Sequence, residues 1–115
     1  MTHPIARYEF AEENASSLVL SIDGEIDLSN VGELRREIDQ RLRHPRLVID
    51  FRKTTYIDSA GLALIADVGS RPSPRVAVHL VAESETTVWR TLRVAGFTEL
   101  FPVHSALDAA VASPS

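Results

Sequence analysis

Apolar residues along the chain follow two rhythms, and their order predicts an α/β domain. Alternation comes first. Ala6, Tyr8 and Phe10 share one face of an expected strand over residues 5–10, with Arg7 and Glu9 on the other. After a polar, turn-like stretch at 12–17, Leu18, Leu20 and Ile22 alternate again, so the two segments predict an antiparallel hairpin with a rather long connection. Residues 23–27 continue or end the second strand, and Gly24 predicts a bulge or bend. The rhythm then changes. Val31, Leu34, Ile38 and Leu42 form one apolar stripe, which predicts a helix from Ser29 or Asn30 to about Arg43, ended by Pro45. Glu33 makes an imperfect capping box with Asn30, and Glu37/Arg41 and Asp39/Arg43 are i,i+4 pairs expected to form only a solvated face.

The run Leu47-Val48-Ile49-Asp50-Phe51 predicts a buried strand, followed by a short loop and a mostly buried helix that Gly69 closes. Two prolines make 70–75 a loop. Residues 76–81 form another apolar strand. A helix capped by Ser84 should run through about Ala95, with Val88, Leu92 and Ala95 inward and Gly96 as a left-handed stop. Phe97, Leu100 and Phe101 lead into a short strand at 101–104, and Ser105-Ala106-Leu107-Asp108 has the capping-box pattern of a last helix to about Ala112. The order β, β, α, β, α, β, α, β, α implies one α/β domain over 1–115, with 1–4 and 113–115 frayed. Its sheet should be mixed but mostly parallel, with an N-terminal antiparallel hairpin and about four helices.

Composition narrows the function classes. The 115 residues carry a net charge of -4 and no basic stripe, so direct nucleic-acid binding has no electrostatic support. The absence of cysteine excludes disulfides and thiol chemistry. No apolar run is long enough to span a bilayer, and the N-terminus lacks the pattern of a signal peptide, so no membrane association and a cytoplasmic location are expected.

Candidate chemistry concentrates at Tyr56-Ile57-Asp58-Ser59-Ala60-Gly61-Leu62. Asp58 and Ser59 are both good N-caps for the helix that follows, and Ala60 and Gly61 leave its first turn bare. The expected result is a hydroxyl at the positive end of a helix, beside uncovered backbone N–H groups that favour an anion by roughly 0.3–1 kcal/mol. Ser59 is therefore either a plain helix cap or a modification site. It is not in a Gly-x-Ser-x-Gly elbow, and none of His3, His44, His79 or His104 is tied to it by spacing, which argues against a nucleophilic serine and leaves no catalytic residue. No histidine or carboxylate spacing suits a metal, no P-loop is present and no cofactor is expected. Trp89 reads as packing on the flank of its helix.

Four segments in register carry a specific resemblance: Gly24-Glu25-Ile26-Asp27, Leu47-Val48-Ile49-Asp50-Phe51, Tyr56 to Leu62, and Val94-Ala95-Gly96-Phe97-Thr98-Glu99-Leu100-Phe101. Together they resemble a STAS domain of the bacterial anti-sigma factor antagonists. The resemblance implies a partner-switching protein, not an enzyme. Its unmodified form binds an anti-sigma factor with serine kinase activity, the kinase phosphorylates the serine matching Ser59, and a serine phosphatase reverses this. It implies Asp27, Asp58, Ala60 and Gly61 as neighbours of the phosphosite, and a partner surface that includes Asp27, Thr55, Tyr56, Asp58, Ser59 and Leu62. Two departures stand out: the Pro72/Pro74 segment replaces a basic extension of the second helix, and Ala60 replaces a frequent second hydroxyl. The alternative within the fold is a STAS regulatory subunit of a lipid-transport or sensor complex, without a phosphoswitch.

Overall fold

The apolar run at 47–51 lies inside β3 (Arg46–Ile57), the middle strand of a five-stranded sheet. The computed structural model describes residues 6–113. Strand order follows chain order: β1 (Arg7–Asn14), β2 (Ser17–Ile26), β3, β4 (Ala77–Val81), β5 (Val103–His104). Only β1 and β2 run antiparallel, and every later pair is parallel. The mixed, mostly parallel sheet and the N-terminal hairpin are thus as expected. Ile5, residues 1–4 and residues 114–115 lie outside the described residues.

Helices cover both faces unequally. On one face, Leu20, Ile22, Leu47, Ile49, Phe51 and Leu80 meet α1 (Val31–Arg41), α2 (Ser59–Gly69), α3 (Thr87–Val94) and α4 (Phe97–Leu100). On the other face, Val19, Val48 and Val81 are covered by Ala110, Leu107 and Val111 of α5 (Leu107–Ala112). Burying each of the larger apolar side chains contributes about 1.5–3 kcal/mol, so the thicker layer dominates stability.

Several boundaries differ from expectation, each for a local reason. The hairpin connection is two residues, not six, because the Asn14 side chain accepts from the Ser16 N–H (2.8 Å) and closes the turn. β3 runs on to Ile57 through what reads as a loop. From the Ser21/Asp50 pairing to the Glu25/Tyr56 pairing, β2 advances four residues and β3 six, so two irregularities break the alternation. Gly24, at φ +110, is one of them. Thr54 is turned inward there, and its hydroxyl donates to the Ile22 carbonyl (2.7 Å). α1 stops at Arg41, and Asn30 forms no capping box; its side chain reaches back to the Asp27 N–H and the Glu25 carbonyl. Glu37 does pair with Arg41, but Asp39 pairs with Arg71 (2.6 Å) and Arg43 bonds the Asp39 carbonyl instead.

α3 begins at Thr87, not near Ser84, because Glu85 adopts φ 70 and the Thr86 hydroxyl caps the Trp89 N–H (3.2 Å). Trp89 is half-buried with Arg93 over its ring. Gly96 takes the left-handed conformation at φ 82, after which residues 97–100 form α4, a fifth helix that buries Phe97. Ser105 does not cap α5; Ala106 holds the cap position without a side-chain bond. The other end of α5 is held by Arg46, a buried side chain donating to the Ala110 and Val111 carbonyls (2.8 and 3.1 Å). His79 and His104 share this face, their rings nearly parallel and His79 Nδ1 3.0 Å from His104 Nε2.

Two tests follow from this packing. A Cβ at Gly61 would lie 2.7 Å from Ile57 Cγ1 and 2.8 Å from Ile26 Cγ2, both core side chains, so α2 rests directly on the ends of β2 and β3. Gly61→Ala should lower unfolding stability by about 1–3 kcal/mol in urea titration, and wild-type stability would show that α2 can lift freely. The pKa of His79 is lowered to about 4 by burial, then by the Arg46 guanidinium and by His104. Unfolded imidazole gains a proton below about pH 6.5, while the folded side chain stays neutral until about 4. This part of the stability is complete above pH 6.5 and is lost as pH falls. It should amount to about 2 kcal/mol lost by pH 5, and His79→Gln should flatten that slope; an identical slope in both proteins would assign the effect elsewhere.

Candidate functional site

Ser59 opens α2 at the carboxyl ends of β2 and β3. Asp58, not Ser59, is the helix cap. Its backbone is extended, its carbonyl accepts from Leu62 N–H (3.0 Å), and its Oδ1 accepts from the N–H groups of Ala60 (2.9 Å) and Gly61 (3.1 Å). The first-turn donors expected to lie uncovered are therefore taken by a carboxylate. Ser59 is one position into the helix, with its side chain exposed and outside the cap.

A second loop joins this one. Asp27 follows the end of β2, beside Asp58 at the end of β3, and the Asp58 N–H donates to the Ile26 carbonyl (3.1 Å). The remaining Asp58 oxygen, Oδ2, accepts from the Leu28 N–H (3.2 Å). Asp27 Oδ1 accepts from both the N–H (2.9 Å) and the hydroxyl of Ser29. The structure thus brings Asp27, Asp58, Ser59, Ala60 and Gly61 to one corner, with Gly61 buried against the sheet.

Thr55 and Tyr56 lie on the last residues of β3, not in a loop, and both are exposed. Leu62 is half-buried and borders a shallow depression against Thr87, Thr91 and Val94 of α3. Leu28 was not among the expected site residues, yet it is 78% exposed and bonded to Asp58 through its backbone. A signal for it exists: it is a leucine between Asp27 and Ser29 that fits neither the strand alternation nor the helix stripe.

Other corners offer less. A depression along β1–β3 includes Arg7, Asp23, Asp50 and Arg52, but Arg52 is already bound to Asp50 through two nitrogens (3.0 and 2.9 Å). That pair raises the guanidinium pKa, chiefly through its hydrogen bond to Asp50. Among the described residues, no group of three or more His, Cys, Asp or Glu is placed to hold a metal ion, and no helix is long and apolar enough to cross a membrane.

Known proteins resemble the chain throughout. BtrV of Bordetella bronchiseptica, whose name provisionally assigns it as an anti-sigma factor antagonist, is 26% identical over 98 residues, 84% of each chain. The crystal structure of an anti-sigma factor antagonist from Mycobacterium paratuberculosis superposes with a TM-score of 0.83 at 24% identity, covering 96% of both chains. The antagonist SpoIIAA in its unphosphorylated form gives 0.71 at 16% identity, covering 91% of this chain and 94% of that one. The Bacillus SpoIIAA structure in the phosphorylated form gives 0.60 at 15%, covering 91% and 96%. The five-stranded arrangement with its helices is the fold of these structures. A family model described as "Mlab, STAS domain" matches residues 10–102. That span takes in both strands and the helix that frame Ser59, and the chain belongs to the STAS domain family.

Proposed function

We propose that this chain is a cytoplasmic anti-sigma factor antagonist controlled by phosphorylation at Ser59. Unmodified, it binds an anti-sigma factor that is also a serine kinase, and the sigma factor is released. The kinase transfers the γ-phosphoryl group of ATP: a bond forms between Ser59 Oγ and phosphorus, the bond to ADP breaks, and the hydroxyl proton leaves. Binding is then lost until a serine phosphatase hydrolyses the ester. The chain itself is a substrate and a binding partner, not an enzyme, and needs no cofactor.

The observation that carries this reading is the exposed Ser59 side chain, one residue past a cap that Asp58 already supplies. A capping role does not account for this hydroxyl, and a kinase can reach it. The antagonists named above share the fold, and SpoIIAA is known in both phosphorylated and unphosphorylated forms.

Electrostatics suggests what the modification does. Phosphoserine adds about -1.5 to -2 charges at pH 7. The helix end favours that charge by roughly 0.3–1 kcal/mol, while the neighbouring carboxylate of Asp58 opposes it; like unit charges about 4 Å apart repel by about 1 kcal/mol in water and about 4 kcal/mol near a protein surface. Asp58 therefore offsets the helix term or exceeds it. The phosphate does not consolidate the site; it places unbalanced negative charge where a partner must dock.

Calorimetric titration with the cognate anti-sigma kinase should show Ser59→Ala binding like the wild type and Ser59→Asp binding at least about tenfold more weakly. Equal affinity for all three proteins would count against the switch. With kinase and ATP, intact-mass measurement should show one added phosphate on the wild type and none on Ser59→Ala. A second reading is supported by the family description, which names Mlab rather than an antagonist: a regulatory subunit of a lipid-transport or sensor complex, with Ser59 unmodified. A pull-down from the source organism separates the two, since recovery of a transporter or sensor assembly without any ATP-binding anti-sigma protein would favour the second.

A further inference from the structure

The geometry points to Leu28 as the apolar anchor of the partner interface, held in position by the same carboxylate that caps the helix of Ser59. This inference rests on the partner-switching reading above and names a part of its docking surface that the site motif does not contain.

Leu28 is 78% exposed. Mobile surface leucines are common and need no explanation, but this one sits on a loop in which nearly every polar group is engaged. The Asp27 N–H donates to Asn30 Oδ1 (3.0 Å), the Asn30 amide donates to the Glu25 carbonyl (2.8 Å), and Ser29 N–H donates to Asp27 Oδ1 (2.9 Å). The Asp27 carbonyl accepts from Asn30 (3.2 Å) and Val31 (3.0 Å), and the Leu28 N–H is bound across the chain by Asp58 Oδ2 (3.2 Å). Such a loop gives up little conformational freedom on docking, which is the condition under which one exposed apolar side chain contributes strongly to affinity. Interface energy concentrates in a few anchors of this kind. The matching feature on the anti-sigma factor is an apolar pocket of leucine size.

Asp58 makes this anchor answer to Ser59. Oδ1 holds Ala60 and Gly61, Oδ2 holds Leu28, and Ser59 lies between the cap and its donors in sequence. A phosphoryl group on Ser59 repels this carboxylate and competes with it for the same amides. When Asp58 gives way, the Leu28 N–H loses its acceptor and the loop loses its restraint from β3.

The test uses the anti-sigma kinase retained by the wild-type chain in the pull-down. Leu28→Ser should weaken binding about tenfold or more, from the loss of roughly three buried carbons, with an unchanged unfolding midpoint. Leu28→Met should keep most of the affinity. Leu100→Ser, another exposed leucine at 67%, should have no effect. Asp58→Asn keeps an oxygen for Ala60 and Gly61 but presents no second acceptor to Leu28, so its loss should come within about threefold of that of Leu28→Ser. In NMR spectra, the Leu28 amide should shift and exchange faster in Asp58→Asn and in phosphorylated protein. Wild-type affinity for Leu28→Ser, or an equal loss for Leu100→Ser, overturns the anchor. An unmoved Leu28 amide overturns the link. If Leu28→Ser fails to weaken binding while Ser59→Asp does, only the anchor falls; if Ser59→Asp binds like the wild type, the underlying switch falls.

Discussion

One carboxylate holds the functional corner together. Asp58 bonds two amides of α2 with one oxygen and an amide of the β2–α1 loop with the other. Without it, first-turn donors of α2 would lack partners at the very end of the helix that meets the sheet, and the loop after β2 would lose its cross-strand tie. Replacing an N-cap acid or hydroxyl costs about 0.5–2 kcal/mol in general. Here the same atoms also set the relative position of two segments about thirty residues apart in the chain.

What places Asp58 there is the sheet. β2 and β3 are parallel, so both deliver their following segments to one edge, the usual location of sites in open α/β sheets. The two irregularities between them let β3 take six residues where β2 takes four, and Ile26 and Ile57 come back into register at the ends. Gly61 then sets α2 down on those two isoleucines with no room for a side chain. Ser59 is exposed while Ile57 and Gly61, two positions before and after it, are buried in the interior.

Much of this is legible in the sequence, and the gaps have physical causes. Long periodic segments read correctly: the stripe of α1, the buried run of β3 and the glycine stop at Gly96 each depend on local pattern alone. The end of β3 did not, because Thr54 and Ile57 follow Phe51 inward at spacings of three, which breaks the period of two expected of a strand. Asn30, Ser84 and Ser105 have the composition of caps, yet none caps with its side chain, since that of Asn30 is drawn back to Glu25 and Asp27 and α3 and α5 start three and two residues after the two serines. Arg46, buried to hold α5 more than sixty residues away, is a tertiary contact no local pattern contains. At the site, the motif singles out Asp58 and Ser59, but the division of labour between them is not legible in it. Either side chain can cap, and only coordinates show that the aspartate does so and frees the serine.

The restraints on the two sides of Asp58 are unequal, and this decides where a disturbance goes. α2 is fixed by buried Leu64, Ile65 and Val68, and by the close approach of Gly61 to two core isoleucines. Interiors packed at this density do not yield by small continuous shifts. The β2–α1 loop has no such anchorage at Leu28, whose side chain touches water and whose amide depends on one bond of 3.2 Å. On the proposed switch, negative charge at Ser59 would push on a carboxylate that links a rigid body to a light one, so the light one would move. The helix would keep its place and the sheet its register, and the change would be confined to the surface that a partner would meet.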